Sequence, residues 1–338
     1  MQSKSSGQIT PERLMQIAWG YAPPLIIGAA VRYKLFDLLE GGGKTADELA
    51  ASAKISPRGA RMILNALVSF ELLSKDAQQR YALVPESRAF LVGTSKGYRG
   101  AFFEHVDMQI IPKWLGLADI VRTGRPQGAV DQEDVGSEFF QKLVENIFPM
   151  SYAAAQKLAD ELLKETRGPV KVLDLAAGSG VWGIALAQKS KDVRVTAVDW
   201  PGVIPVTRRV AGRFNVADRF SYIEGDLLTV EFGTGYNIAT LGHILHSEGE
   251  KRSRELLKKT FAALASGGTI AISEFVANDT RTGPPNAMIF AVNMFINTSE
   301  GDTFTFEEMS RWLYEAGFKS VRSLEAPAPS PLILATKP

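Results

Sequence analysis

The chain has 338 residues, with 38 basic and 37 acidic side chains, a formal net charge of +1 and no cysteine. Near-neutrality leaves no long-range field to draw in nucleic acid or anionic lipid, and the lack of Cys excludes disulfides, thiolate nucleophiles and sulfur-ligated metals, in keeping with a reducing cytoplasm. The length predicts two domains, each large enough to bury a core.

The opening MQSKSSGQITPERL is polar and lacks the apolar run of a secretory signal, and the stretch YAPPLIIGAAV is interrupted by Pro23 and Pro24 and is short for a bilayer span. A soluble, cytoplasmic protein is expected. Apolar residues at helical spacing predict two helices between Pro11 and about Glu40, the second ended by Gly41 to Gly43. Thr45 with Glu48 three residues on reads as a capping box, and Ser56-Pro57 opens the helix RGARMILNALVSFELL, followed by a short hairpin in SKDAQQRYALV. Helix, turn, helix and a two-stranded wing make a winged-helix module over residues 1–98. Met62, Leu64, Leu67, Val68 and Phe70 make its second helix too apolar to face a DNA groove, so packing or dimerisation is the favoured use.

Residues 99 to about 166 read as mostly helical, and Phe148 and Met150, just ahead of the next domain, are candidates for an apolar substrate wall. From Val170 strands and helices alternate: VKVLDLA, VRVTAVD, FSYIEGD, YNIATLG and GTIAISEF are predicted strands, with helices near Gly180–Lys189, Val203–Phe214 and Lys251–Leu264. Such alternation predicts an α/β, Rossmann-like, doubly wound and mostly parallel sheet over residues 168–338, within a second domain spanning 99–338, with ligands bound at the carboxyl ends of the strands. A last helix, TFEEMSRWLYEAGF, and a terminal hairpin complete it.

The turn after the first strand holds the cofactor candidate. Gly178, Gly180 and Gly183 fit a dinucleotide-binding pattern, while Asp174, Gly178 and Gly180 fit the acid-then-glycines turn of S-adenosylmethionine enzymes. Later strand ends discriminate. Asp199 lies where a nucleoside fold places a ribose-binding carboxylate, which either cofactor would use. Asp226 suits the exocyclic amine of an adenine, with Leu227 packed on the ring, and Asp174 suits an ammonium but would repel a pyrophosphate. The set favours S-adenosylmethionine over a nicotinamide dinucleotide. His246, after the fourth strand, is the candidate general base, and Glu274, at the end of the fifth, the acid that orients it. His243 is placed on the cofactor side and His105 in helix packing. With only His243 and His246 close in sequence, no metal site is expected.

With the winged-helix module, DLAAGSG, VDWPGV, EGDLL, LHSEGE, SEF and the terminal AGF, the chain resembles the S-adenosylmethionine-dependent small-molecule O-methyltransferases, the family of plant caffeic acid and hydroxyindole enzymes and of bacterial antibiotic- and pigment-tailoring ones. The resemblance implies a class I methyltransferase fold and a homodimer made through the N-terminal module. It implies a ribose-binding acid at Asp199, an adenine-side acid at Asp226 with Leu227 beside it, and catalysis by His246 with Glu274; the positions of the residues themselves add Asp174, Ala176, Gly178, Trp200 and His243 as candidate cofactor contacts and Phe148, Met150, Phe290, Asn293 and Met294 as candidates for a largely apolar acceptor pocket. Three departures stand out: Ser247 and Glu248 replace the Asp-Trp that usually follows the base, a second supporting acid falls on or near Thr303, and Ala176 replaces a glycine, which requires a negative φ there. O-methylation of an aromatic or polyketide-like hydroxyl is the expected activity. C-methylation of the pigment type and a cofactor-sensing winged-helix regulator are the alternatives.

Overall fold

A computed structural model describes residues 9–126, 128–164, 168–327 and 331–338. The chain divides into two compact units, one ending at Pro112 and one beginning at Lys113.

In the first unit, helices α1 (Glu12–Ala18), α2 (Ala22–Arg32) and α3 (Leu35–Leu38) stand where two were expected. Pro23 and Pro24 sit in the first turn of α2, where their missing N–H groups cost nothing, and Lys34 in the left-handed region (φ 54°) separates α3. Residues Glu12–Arg32 are, by length and composition alone, apolar enough to cross a membrane, which the eleven-letter run did not suggest. They form two helices rather than one. The Thr45–Glu48 capping box starts α4 (Ala46–Ala53), and Ser56 Oγ accepts the Gly59 N–H at the start of α5 (Pro57–Ser69). Strands β1 (Leu73–Lys75) and β2 (Tyr81–Leu83) pair antiparallel as the wing. Leu49, Leu64, Leu67 and Tyr81 are fully buried between these elements, so the apolar face of α5 is core. After α6 (Pro85–Phe90), α7 (Gly100–His105) and a π-helical turn over Val106–Ile110 return to α2. There Gly28 approaches the Phe103 carbonyl and Arg32 pairs with Asp107 at 2.7 Å. Those contacts carry the first unit past residue 98.

A short helix, α8 (Ile111–Trp114), leads to α9 (Leu117–Thr123) and the long α10 (Glu133–Leu163). The sheet strands are β3 (Val170–Leu175), β4 (Val193–Asp199), β5 (Phe220–Glu224), β6 (Tyr236–Gly242), β7 (Leu264–Ser273), β8 (Lys319–Leu324) and β9 (Leu332–Thr336), in the order β5-β4-β3-β6-β7-β9-β8. β3 to β7 are parallel, and β9 inserts antiparallel between β7 and β8. Helices α11 (Val181–Lys189), α12 (Ile204–Arg213) and α13 (Leu245–Ala263) follow β3, β4 and β6. The alternation of strands and helices does not announce α14 (Pro285–Asn297), whereas α15 (Phe306–Ala316) opens on a Thr305–Glu308 capping box. Strand order reverses direction at β3 and β6, and a crevice opens at the carboxyl ends of such neighbours.

Candidate active site

A pocket of about 980 Å³, its open mouth included, lies at that switch point. One wall is the turn after β3, where Ala176 (φ 49°), Gly178 (φ 55°) and Gly180 (φ 76°) are all left-handed. Alternating left-handed residues turn the backbone sharply before α11 begins. The sequence-based condition of a negative φ at Ala176 is not met: this alanine carries a strain of about 1 kcal/mol that a glycine would not. Gly183 is a packing glycine, since a Cβ there would sit 2.7 Å from Val195 Cγ1 and 2.9 Å from Asp174 Oδ2.

Asp174 does not face the pocket. Its side chain is 0 % exposed, with Oδ2 accepting the Gly183 N–H at 3.0 Å and Oδ1 the Thr240 hydroxyl at 2.7 Å. The expected contact with a ligand ammonium is corrected accordingly: Asp174 is fully buried and absent from the pocket lining, and its two oxygens tie β3 to α11 and β6. Burial pushes this carboxyl up to about 7 despite those two hydrogen bonds. Asp199, at the end of β4, does line the pocket, held by the Gly178 N–H at 2.8 Å and the Trp200 N–H at 2.7 Å. Desolvation raises it to about 6, and the two backbone donors oppose the rise. Trp200, Asp226, Leu227 and His243 line the same pocket.

His246 sits in the first turn of α13, which Gly249 (φ 70°, ψ 172°) separates from the helix proper. His246 Nδ1 lies 2.6 Å from Glu274 Oε2, and the His246 backbone N–H reaches Glu274 Oε1 at 3.3 Å. Burial alone would raise Glu274, but the adjacent His246 and its hydrogen bonds hold it below the ordinary carboxylate range. On the other side, the His246 carbonyl accepts the Asp302 N–H at 2.9 Å. Phe290 stands edge-on to the His246 ring at 4.8 Å and stacks on Phe275 at 4.0 Å. His243, itself left-handed (φ 60°), offers Nε2 to the Ser273 hydroxyl, while its Nδ1 is buried without a partner among the described residues. Desolvation lowers it to about 4, so its ring is neutral. One ligand-capable atom from each of His243, His246 and Glu274 lies within 4.8 Å of the others, a grouping that sequence spacing hid because Glu274 joins only in space. Thr303, where a second acid falls in the family, is fully buried, and its Oγ1 has no partner among the described residues.

Of the acceptor-side candidates, Phe148 lines the pocket and Phe290 touches His246. Met150 does not line it and is 36 % exposed, because α10 turns that position outward. Asn293 is occupied by Trp114 Nε1 at 3.1 Å and by the Asn297 amide, and Met294 is buried in packing; neither lines the pocket. Phe140, whose aromatic character suits an apolar wall, lines the pocket too; sequence reasoning missed Val144, Ile147 and Ser151, which share one face of α10 with Phe140 and Phe148. Their helical spacing was a usable signal. It also missed Asp131, Trp182 and Glu248 in the lining.

The pocket suits an adenosyl cofactor: a carboxylate pre-held by two backbone N–H groups for a ribose, a further acid one strand on, and an apolar wall from α10. Comparison with known proteins agrees. Residues 114–319 match the family model of the O-methyltransferase domain, and residues 15–93 that of the O-methyltransferase dimerisation domain. The chain is 28 % identical to a 3-hydroxy-5-methyl-1-naphthoate 3-O-methyltransferase of Streptomyces sahachiroi over 94 % of this chain and 92 % of that one. It is also 28 % identical to an L-tyrosine C(3)-methyltransferase of Streptomyces lavendulae over 96 % and 93 %. Among solved structures, a Nostoc punctiforme protein described as O-methyltransferase-like superposes with a TM-score of 0.86 at 28 % identity, covering 98 % of this chain and all of that one. The chain belongs to the S-adenosylmethionine-dependent O-methyltransferase family.

Proposed function

We propose that this protein methylates a hydroxyl of a small aromatic or polyketide-like molecule, with His246 as general base, and that it works as a cytoplasmic homodimer. The observation that carries the choice of base is the 2.6 Å contact between His246 Nδ1 and Glu274 Oε2 in the pocket wall. With Nδ1 committed, Nε2 is the nitrogen left to take a proton. S-adenosylmethionine, when bound, supplies a methyl group already activated on a sulfonium. Asp199 would accept hydrogen bonds from the ribose hydroxyls and Asp226 with Leu227 would take the adenine side, while Phe140, Val144 and Phe148, which line the same pocket, would exclude water. His246 Nε2 is placed to take the proton of the acceptor hydroxyl, whose oxygen would receive the methyl group as the sulfur–methyl bond breaks and S-adenosylhomocysteine is left. The Glu274 carboxylate, held ionised, then offsets the imidazolium charge. Alignment supplies roughly 7 to 11 kcal/mol of the barrier and the base about 10² to 10⁴ in rate, so positioning dominates.

A C-methylating reading is favoured by one observation, the similarity to an L-tyrosine C(3)-methyltransferase. Methyl-labelled S-adenosylmethionine incubated with a panel of phenols and phenolic polyketides tests both readings. Label on oxygen in the product's NMR spectrum is the expected result, and label on a ring carbon reassigns the reaction.

A further inference from the structure

Glu274 and His246 come from different parts of the chain, and the segment that backs the histidine comes from a third. The Asp302 N–H donates to the His246 carbonyl at 2.9 Å, and a Cβ on Gly301 would lie 2.5 Å from that carbonyl oxygen. A loop can press on a turn only if it is itself anchored. At one end the Ser299 N–H donates to Asp131 Oδ2 at 2.9 Å and the Val130 N–H to the Asn297 carbonyl at 2.7 Å, so the stretch ahead of α10 holds it.

The other end is held by Arg281. From Glu274 the chain runs out through residues 275–283 and α14, then returns at Thr303 to Thr305, where the Ala277 N–H donates to the Phe304 carbonyl at 3.0 Å. Across that neck Arg281 Nη1 donates to the Thr303 carbonyl at 2.8 Å and to Asp302 Oδ2 at 3.1 Å, and Nη2 to both oxygens of Glu308 at 2.9 Å. Glu308 is already fixed by the capping box of α15, and Asp302 Oδ1 accepts the Thr303 N–H at 2.7 Å. The arginine is placed by its own turn, in which Asn278 Oδ1 accepts the Thr282 and Gly283 N–H groups at 2.9 and 3.2 Å. Its φ of 51° is left-handed, a conformation that persists only where the surroundings enforce it. A planar guanidinium fork reaches these oxygens together, which a single ammonium does not. With Arg281 39 % and Asp302 46 % exposed, their ion pair adds little to stability. Its use lies in fixing place, because a displacement of about 1 Å at a reacting group can cost roughly 10² in rate.

We propose that Arg281 is a positioning residue for methyl transfer: it holds the Asp302–Thr303 segment against His246 and so keeps the imidazole on Glu274. The proposal rests on the reading of His246 as the general base. Arg281 is absent from the pocket lining, so it acts through the histidine.

Single-turnover methyl transfer to a phenol that the wild type accepts, at saturating S-adenosylmethionine, tests it. Arg281→Gln is expected to slow this step roughly tenfold, with partial recovery in Arg281→Lys. Calorimetric affinity for S-adenosylhomocysteine and the melting temperature are expected to stay near wild type. In a His246→Ala background Arg281→Gln is expected to cost nothing further, since a residue that works through the base then has nothing left to place. Proton NMR reads the same link without an acceptor. The proton between His246 Nδ1 and Glu274 gives a far-downfield resonance, identified by its loss in His246→Ala, and Arg281→Gln is expected to shift or broaden it. Arg254→Gln, whose arginine pairs with Glu250 and Glu315 instead, serves as the control and keeps wild-type values throughout. An unchanged rate or an unchanged resonance in Arg281→Gln overturns the proposal, as does an equal loss in the His246→Ala background or a matching fall in S-adenosylhomocysteine affinity. A wild-type rate in His246→Ala alone removes instead the base reading on which it rests.

Discussion

Glu274 holds His246 twice, once through the ring Nδ1 and once through the backbone N–H, so one buried acid sets both the tautomer and the place of the imidazole. No second acid stands at Thr303 to share that task. Two neighbouring residues show how much of the site is arranged against local preference. Ala176 occupies a left-handed conformation at the turn, and Ala176→Gly is expected to stabilise the fold by up to about 0.5 kcal/mol, the relief of strain less the added unfolded-state entropy. Chemical denaturation measures it, and a loss of stability would mean that the methyl group's contacts outweigh the strain. Asp174 keeps its proton in the folded state up to about 7, whereas the unfolded chain releases it near 3.8. The folded state therefore binds more protons across that window, and this group's contribution to stability falls as pH rises from 3.8 to about 7. His243 acts in the opposite sense, its lowered value making stability rise with pH between about 4 and 6.5. The difference between wild type and Asp174→Asn isolates the acid: the variant gains on the wild type as pH rises through that window. Parallel melting-temperature curves would show that Asp174 is ionised throughout.

Among elements, the first turn of α13 is shaped by a loop far away in sequence. A Cβ on Gly301 would lie 2.5 Å from the His246 carbonyl and 2.2 Å from Thr298 Oγ1, and a Cβ on Gly249 would lie 2.7 Å from the Glu300 carbonyl. The 298–302 loop thus acts as a stop behind His246. Gly301→Val is expected to lower turnover by roughly tenfold or more through misplacement of His246, while leaving S-adenosylhomocysteine affinity near wild type; unchanged turnover would free the base from this support. Little of this could be read in sequence, because a close approach between a loop and a turn leaves no periodicity. The strands and their polar ends were legible: β3 to β6 fall where apolar runs predicted them, and Asp199, Asp226, His243 and His246 all reach the pocket. Asp174 did not, since a strand-end acid reads the same whether it points into the crevice or back under the following helix. Met150 failed for a related reason. Proximity in sequence to the cofactor strand is not proximity in space, and the face of α10 that lines the pocket runs through Phe140, Val144, Ile147, Phe148 and Ser151 instead.

For the molecule as a whole, the N-terminal unit leaves large apolar side chains uncovered, with Leu14, Ile17 and Trp19 each more than 60 % exposed. Its match to a dimerisation domain offers a reason for leaving them uncovered in a single chain. Light scattering is expected to give twice the 36.8 kDa chain mass, and Ile17→Asp is expected to shift the population toward monomer; a wild-type monomer at micromolar concentration would refute the assembly. The near-neutral charge and the burial of the α5 apolar face in the core both speak against the regulator reading. The central claim concerns His246. With an accepted phenolic substrate, single-turnover methyl transfer is expected to slow at least about tenfold in His246→Ala while S-adenosylhomocysteine binds as tightly as to the wild type. An unchanged rate would contradict the mechanism.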